Sequence, residues 1–159
     1  MAKTQITAEP GTQRVVIERE FEAPRELVFR AYTDPELLVR WLGPRELTMT
    51  VEEFDVRDGG RWRYVHTDAE GNTYGFRGVF HGTPSPDLTV QTFEFEGMPG
   101  HVCLESMTME ERDGRTLVRA LSVFQSVEDR DGMVASGMEQ GIQEGGEKLE
   151  ALLAELQAG

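Results

Sequence analysis

The chain has 159 residues, 38% of them hydrophobic and 28% charged, which is the composition of one soluble globular domain. Its 16 basic and 29 acidic residues give a formal net charge of −13, and so acidic a surface repels phosphate backbones and anionic lipid headgroups. Nucleic acids and membranes are therefore not expected partners. The first residues lack the apolar core of a signal peptide and the single cysteine, Cys103, cannot form an internal disulfide, so we expect a cytoplasmic protein.

The early part of the chain predicts one strand followed by two short helices. An alternating, β-branched segment from Val15 to Phe21 predicts the strand. Pro24 suits the first position of a helix. Asp34 followed by proline predicts a second, capped helix, which a Gly-Pro pair ends at residues 43–44.

From Leu47 to Phe124 the hydrophobic pattern has a period of two, and turn sequences divide it into six strands. Asp113-Gly114 is a strong signal for a two-residue hairpin. Where arginines alternate with other residues, the arginines should face water. This rule turns inward Trp62, Tyr64, His66, Phe76, Gly78, Phe80, Val118, Ala120, Ser122 and Phe124. The strand from Leu88 to Phe95 stays ambiguous, because both of its faces carry apolar residues.

A long helix is predicted from Glu128 to Leu156, because apolar residues recur there at spacings of three, four or seven. Gly137, Gly141 and Gly145 share one stripe of this helix, with Gly146 beside them. A glycine inside a helix costs roughly 1 kcal/mol relative to alanine. The stripe therefore predicts that another backbone or a ligand comes close to it.

The predicted sheet is too wide for one helix to cover while flat. Seven strands about 4.8 Å apart span roughly 34 Å, whereas a helix with its side chains is only about 10–12 Å across. The prediction is an α+β fold: a curled seven-strand antiparallel sheet around a long C-terminal helix, with two short helices after the first strand. Small residues on both walls favour an apolar pocket between sheet and helix. The alternative is that the glycines only allow close packing.

Several motifs along the chain point to one family. They are Phe21-Glu22-Ala23-Pro24, Thr33-Asp34-Pro35, Arg40-Trp41-Leu42-Gly43-Pro44, Asp58-Gly59-Gly60-Arg61-Trp62, Phe76-Arg77-Gly78-Val79-Phe80 and Gly137-Met138-Glu139-Gln140-Gly141. Together they resemble the START-like (SRPBCC) superfamily, in the branch homologous to the C-terminal domain of the activator of the heat-shock-protein-90 ATPase. The resemblance covers roughly residues 14–156 and implies a helix-grip fold with a hydrophobic cavity.

The polar residues that end at Pro10-Gly11 predict a flexible N-terminal arm, residues 1–12, and the rest of the chain, residues 13–159, is then a single START-like helix-grip domain. Two positions depart from the family pattern. Members of this branch often carry a second tryptophan where Leu42 stands, and an aromatic residue where Gly146 stands. Both differences would enlarge or reshape the cavity.

The predicted wall of the pocket combines aromatic residues, methionines and small residues, which suit an adaptable apolar site. For each of these residues, plain core packing is the alternative. The ligand-binding candidates are Trp41, Trp62, Tyr64, His66, Phe76, Phe80, Met107, Ala120, Ser122, Met133, Gly137, Met138, Gly141, Ile142 and Gly145.

Few residues in the predicted interior carry chemistry. His66 is the one histidine on a predicted inward face, and it is the candidate general base. Glu94 and Glu105 become candidate acids only if the phase of their strands shifts by one residue. Cys103 has no predicted base beside it and reads as an inert thiol. No pair of histidines has metal-ligand spacing and no Cys or acidic residue completes a site, so neither a metal nor a cofactor is expected.

The leading hypothesis is a binding protein that encloses a small apolar or aromatic molecule, such as a lipid or a polyketide. A first alternative is an enzyme of the cyclase or hydrolase kind that uses His66 in the cavity. A second alternative is an interaction protein that assists a chaperone, by analogy with the namesake of the family. Polar outer faces favour a monomer or a weak homodimer.

Overall fold

The computed structural model describes residues 3–159, in which one antiparallel sheet of eight strands curls beside four helices. The strands are β1 (Gln5–Thr7), β2 (Arg14–Phe21), β3 (Thr48–Phe54), β4 (Arg61–Thr67), β5 (Thr73–His81), β6 (Thr89–Phe95), β7 (Val102–Arg112) and β8 (Arg115–Val123). The helices are α1 (Arg25–Thr33), α2 (Pro35–Leu38), α3 (Val127–Ala135) and α4 (Met138–Ala158). This arrangement confirms the predicted α+β helix-grip fold.

The strands lie in the order β1-β2-β8-β7-β6-β5-β4-β3, so the sheet does not close into a barrel. From β3 to β8 each strand pairs with the next one along the chain, whereas β2 pairs with β8, far away in the sequence. The Asp113-Gly114 hairpin is confirmed, with φ angles of 55° and 76° at the two residues. No helix within residues 3–159 is long and apolar enough to span a bilayer.

The structure adds an eighth strand, β1, to the seven that the sequence predicts. It lies within the segment expected to be an N-terminal arm and pairs with β2. Just before it, buried Thr4 accepts a hydrogen bond from Arg19 Nη1 at 3.1 Å, and its carbonyl accepts one from Gln143 Nε2 at 2.7 Å. Arg130 Nη1 donates to the carbonyl of Glu9. A strand of three residues is too short to show a hydrophobic period. The segment is instead held in place by these hydrogen bonds to β2, α3 and α4, which the sequence does not reveal.

The helix predicted over residues 128–156 is divided into α3 and α4, so that prediction was wrong in its bounds. α3 begins at a serine cap, where the Ser126 hydroxyl accepts the N–H of Asp129. The break falls at Gly137, which has a left-handed φ of 89°. Glycine adopts this conformation without a steric cost. The apolar spacing continues across the break, which is why periodicity alone could not reveal it.

The buried core forms three clusters along the inner face of the sheet. The largest lies under α1, α2 and the C-terminal half of α4, and includes Phe21, Val28, Leu38, Trp41, Met109, Val118, Leu149 and Leu153. A second, under α3, is built on Val15, Cys103 and Phe124. The third, at the β4 side, is built on Trp62, Tyr64 and Phe80. The inner face between these clusters is where the candidate site lies.

Candidate functional site

The inner face of β4 carries three of the predicted site residues. Trp62, Tyr64 and His66 are all buried, so their predicted inward orientation is confirmed. Trp62 stacks on Tyr64 with the ring centroids 5.1 Å apart. Tyr64 meets His66 edge-on at 5.3 Å between centroids. The three rings form a continuous aromatic wall along the strand.

The neighbouring strands β5 and β6 extend this wall. The ring of Phe76 lies 5.5 Å from that of Tyr64 and 5.4 Å from that of Phe93, measured between centroids. Gly78 on β5 lies opposite Trp62 on β4 and leaves room for its indole ring, because a Cβ at this glycine would come within 2.6 Å of the ring. The glycine is therefore needed for the close contact between the tryptophan and the sheet.

The sequence leaves the phase of β6 open, and the structure settles it. Phe93 packs against the aromatic wall, and Gln91 lies opposite an inward residue of β7, so the odd-numbered positions face the helices. Glu94 lies on the outer face and forms an ion pair with Arg77 at 3.2 Å. A hydrogen bond from the N–H of Gly100, together with this arginine, lowers the pKa of Glu94. Glu94 is therefore not an interior acid.

A row of three polar side chains crosses the centre of the inner face. Gln91, Glu105 and Ser122 lie opposite one another on β6, β7 and β8. The Gln91 amide donates a hydrogen bond to Glu105 Oε1 at 3.0 Å, and Ser122 also hydrogen-bonds the carboxyl group.

Sequence reasoning missed Gln91 and brought Glu105 inside only under a shifted phase. A usable signal was present, however. Met107 is predicted to face inward, and a residue two positions away on the same strand shares its face. The inward position of Glu105 follows from that of Met107.

Glu105 has an unusual electrostatic environment for a carboxyl group. Burial raises its pKa to about 7, against the hydrogen bonds from Gln91 and Ser122. Burial, with a further contribution from the charge of Glu105, raises the pKa of Tyr64 and brings the pKa of Cys103 to about 12. Tyr64 and Cys103 therefore stay neutral near pH 7, and both feel the charge of Glu105.

The middle of the inner face is only half-buried, although buried residues flank it on both sides. Trp62 and Cys103, for example, are buried, whereas Phe93 between them is partly accessible. We call this half-buried line the central strip; its members are Phe76, Gln91, Phe93, Glu105, Met107 and Ala120. The strip continues across strands through the opposed pair Met107 and Ala120. A half-buried line between buried flanks indicates a recess that the helices do not fill.

Two buried polar atoms of the aromatic wall have no hydrogen-bond partner among residues 3–159. They are Trp62 Nε1 and His66 Nδ1. The imidazole of His66 packs so tightly against Gly43 that any side chain there would collide with the ring. Burial, helped by the charge of Lys148, lowers the pKa of His66, which therefore stays neutral at pH 7.

Trp41 does not join the aromatic wall. Its Nε1 donates to the carbonyl of Ala31 at 3.0 Å, and its ring meets Tyr32 edge-on in the largest core cluster. Phe80, in contrast, belongs to the cluster of Trp62 and Tyr64.

The predicted helix glycines differ in their surroundings. A Cβ at Gly141 would lie 3.4 Å from Pro44, and one at Gly145 would lie 3.3 Å from the carbonyl oxygen of Trp41. A Cβ at Gly137 would meet open space. The predicted close approach of another backbone is therefore confirmed for Gly145, where the loop after α2 meets the helix.

The remaining predicted site residues lie at the helix junction, on α4 and on β8. Met133 and Met138, at the junction of α3 and α4, pack on the second core cluster together with Phe93. Ile142 is half-buried one turn further along α4, and Ser122 is buried on β8. Met133 and Met138 are the members of this group that pack on the same core cluster as a residue of the central strip, namely Phe93.

Two open grooves of about 480 Å³ each lie away from the central strip. One is lined by Arg25, Asp87 and Glu110, and the other runs beside the ion pair of Arg63 and Glu96. None of the predicted pocket residues lines either groove. Within residues 3–159 no group of three or more His, Cys, Asp or Glu side chains could hold a metal ion. Ligand binding by the predicted wall stays a prediction.

Comparison with known proteins agrees with this architecture. Residues 22–154 match the family of "Activator of Hsp90 ATPase homolog 1-like protein". The chain belongs to this family. No functionally curated protein matches the sequence.

Several solved structures are similar over most of the chain. A protein of Rhodobacter sphaeroides has 29% sequence identity and a TM-score of 0.87, covering 96% of this chain and 98% of its own. A protein of Arthrobacter aurescens has 27% identity and a TM-score of 0.86, covering 95% and 91%. An AHSA1-like protein of Aeromonas hydrophila, at 19% identity, a TM-score of 0.70 and coverage of 87% and 93%, shares the fold.

Proposed function

We propose that the protein binds a small apolar or aromatic molecule on the central strip, between the sheet and the junction of α3 and α4. The observation that carries this proposal is the run of partly accessible aromatic and methionine side chains on a face that is otherwise core. The SRPBCC-type fold commonly binds hydrophobic ligands, which supports the same conclusion.

The energetics of the strip favour an occupant. Phe76, Phe93 and Met107 are half-buried on the inner face, and covering their remaining apolar surface gains about 25 cal/mol for each Å² removed from water. The unpaired Trp62 Nε1–H lies in the same aromatic cluster as Phe93. A buried donor without a partner costs about 1–3 kcal/mol.

The experiment is a binding titration with 1-methylnaphthalene, a neutral aromatic probe, followed by tryptophan fluorescence. Ala120 faces the strip opposite Met107, so Ala120→Leu should narrow it. We expect the wild type to bind the probe and Ala120→Leu to bind it about tenfold more weakly, which corresponds to about 1.4 kcal/mol.

Ser106→Leu is the matched control, because Ser106 lies on the same pair of strands but on the opposite face, where it pairs with Leu121. This variant should bind the probe as the wild type does. Equal affinity of Ala120→Leu and the wild type, or weaker binding by Ser106→Leu alone, would contradict a ligand site on the strip. Absence of binding to the wild type at the solubility limit of the probe would contradict the proposal as a whole.

A second candidate function, acid–base catalysis on the bound molecule, is favoured by one observation. Glu105 is a titratable group within the strip with a pKa of about 7, and neutral His66 lies on the aromatic wall. This function is tested by incubating small apolar or aromatic molecules with the protein and measuring by mass spectrometry whether their masses change. Conversion by the wild type that Glu105→Gln abolishes would support an enzyme, and recovery of every molecule unchanged would leave binding as the function.

A further inference from the structure

Glu105 stands out among the charged residues of the inner face. Arg19, on the inner face of β2, is buried more deeply than the half-buried Glu105, and its guanidinium pairs with Glu150 at 3.1 Å and donates a hydrogen bond to Thr4. Glu105 has only neutral hydrogen-bond partners, Gln91 and Ser122. No lysine, arginine or histidine within residues 3–159 lies within 4.0 Å of its carboxylate. Of these two interior charges, only Arg19 has an opposite charge beside it.

On the outer face of the sheet, carboxylates are paired with arginines. Glu94 pairs with Arg77, and Glu96 forms two 2.7 Å hydrogen bonds with Arg63. Placing an unpaired carboxylate among apolar residues costs several kcal/mol unless something compensates for it.

The surroundings of Glu105 describe what would compensate. The residues two positions away on the same face of β7 are Cys103 and Met107, and the aromatic rings of Tyr64 and Phe93 belong to the same interior. A protonated amine satisfies a carboxylate through charge-assisted hydrogen bonds. Its positive charge is also attracted to aromatic faces. A carboxylate ligand would be repelled, and a plain hydrocarbon would leave the acid unpaired.

We propose that Glu105 anchors the protonated amine of an otherwise apolar or aromatic ligand, with Gln91 and Ser122 orienting the carboxyl group. The inference rests on the proposed function, and it specifies the ligand class as an aromatic or aliphatic amine. The amine donates its N–H bonds to the carboxylate oxygens, while the rest of the molecule lies along the central strip.

This arrangement makes amine binding depend on pH, because only ionised Glu105 attracts a cation. The titratable groups that face Glu105 are Tyr64 from β4 and Cys103 from β7, and both have raised pKa values that keep them neutral below about pH 9. From β6, β8 and the helix junction the facing groups are Gln91, Ser122 and methionines, which carry no charge. His66, further along the aromatic wall, is neutral above pH 6.5, and its protonation at lower pH is common to the wild type and Glu105→Gln. The part of the amine preference that this variant removes should therefore follow Glu105.

The test uses three probes of one shape and different charge: 1-naphthylmethylamine, 1-naphthylmethanol and 1-naphthylacetate. Their affinities for the full chain are measured by isothermal titration calorimetry at pH 8 and pH 5. At pH 8 we expect the wild type to bind the amine about tenfold more tightly than the alcohol and to bind the acetate most weakly. At pH 5 the amine and the alcohol should differ by less than about threefold.

Glu105→Gln should remove the amine preference at pH 8 while leaving the affinity for the alcohol within about threefold. Glu94→Gln is the matched control, since Glu94 is an outward acid on the neighbouring strand, and it should retain the preference. Circular dichroism verifies the fold of both variants. If Glu105→Gln fails to fold, the pH dependence of the wild type still decides the question.

The outcomes separate the two proposals. Binding of the alcohol without an amine preference at pH 8, a preference that survives Glu105→Gln, or one lost in Glu94→Gln would overturn the anchoring role of Glu105 and leave the proposed binding function standing. Failure of all three probes to bind would overturn the proposed function, and the ligand class with it.

Discussion

The two halves of α4 lie over different interiors. Its C-terminal half places Leu149 and Leu153 in the largest core cluster, where both are fully enclosed. Its N-terminal half carries Met138, Gly141 and Ile142, which are all half-buried. The same helix therefore closes one end of the sheet with leucines and leaves the other end partly open.

The difference shows that side-chain volume, and not the helix itself, decides where this interior is filled. Leucines project far enough to reach the sheet and exclude water. The glycines instead bring the helix against the loop after α2, where Gly145 lies close to the carbonyl of Trp41. The small glycine side chains therefore have two effects: they allow α4 to contact the loop after α2, and they leave the central strip half-buried.

The strongest test of this comparison is a pair of truncations in α4. Leu149→Ala should lower the free energy of unfolding by about 4 kcal/mol, because it opens a cavity in a filled core. Ile142→Ala should lower it by only about 1 kcal/mol, because its side chain is already partly hydrated. Urea denaturation followed by circular dichroism measures both. Equal losses would show that the two halves are packed alike.

The second test concerns Glu105, the acid on β7 that lies in the half-buried central strip. Because the pKa of Glu105 is raised from 4.5 to about 7, the folded state keeps a proton that the unfolded state loses between these values. Stability is therefore full below pH 4.5 and falls as the pH rises to 7. Glu105→Gln removes this loss, so it should be more stable than the wild type by at most about 3 kcal/mol at pH 8.

The stability gain of Glu105→Gln should disappear near pH 4, where the wild-type carboxyl is protonated. The contribution of His66 has the opposite sign, since its lowered pKa makes stability fall as the pH drops below 6.5. It is present in both proteins and cancels in their difference. Thermal unfolding from pH 4 to pH 8 provides the data, and a gain that is constant with pH would argue against a titrating Glu105.

The smallest expected effects come from the helix glycines and have opposite signs. Gly141→Ala should stabilise the protein by up to about 1 kcal/mol, because the added methyl makes an ordinary contact with Pro44 and alanine favours the helix. Gly146→Ala should destabilise it by about 1–2 kcal/mol, because the methyl would lie 2.7 Å from Arg19 Nη1 and 2.9 Å from Thr4 Oγ1.

Urea midpoints of the two alanine variants check the signs. A gain from Gly146→Ala would mean that Arg19 has room to move, and that the helix is looser over β2 than its contacts indicate. A loss from Gly141→Ala would place Pro44 closer to the helix than an ordinary contact.

Most of the fold could be predicted because its signals are local. Alternation with arginine assigns the inward faces of β4 and β5, and Asp113-Gly114 marks the last hairpin. Sequence reasoning missed two features, the strand β1 and the break between α3 and α4, for different reasons. β1 is held by residues of β2, α3 and α4, and the break at Gly137 leaves the apolar spacing intact.

The candidate site was predictable in its aromatic part and much less so in its polar part. Trp62, Tyr64 and His66 follow from one alternating strand. Trp41 was predicted as a wall residue because it is aromatic. In the structure its indole N–H donates to the carbonyl of Ala31, and the side chain lies in the largest core cluster, away from the aromatic wall. Gln91 becomes a site residue only once the register of β6 and β7 is known.

The pairing of β2 with β8 has a consequence for how the chain folds. Arg14 lies opposite Val123, and Phe21 lies opposite Thr116, so this ladder joins segments about a hundred residues apart. Closing so long a loop is entropically costly, and folds dominated by such contacts form slowly. During synthesis β2 has no partner for its β8-facing edge until nearly the whole sheet has emerged from the ribosome. Until then, that edge is open to the pairing with other chains that native sheets avoid.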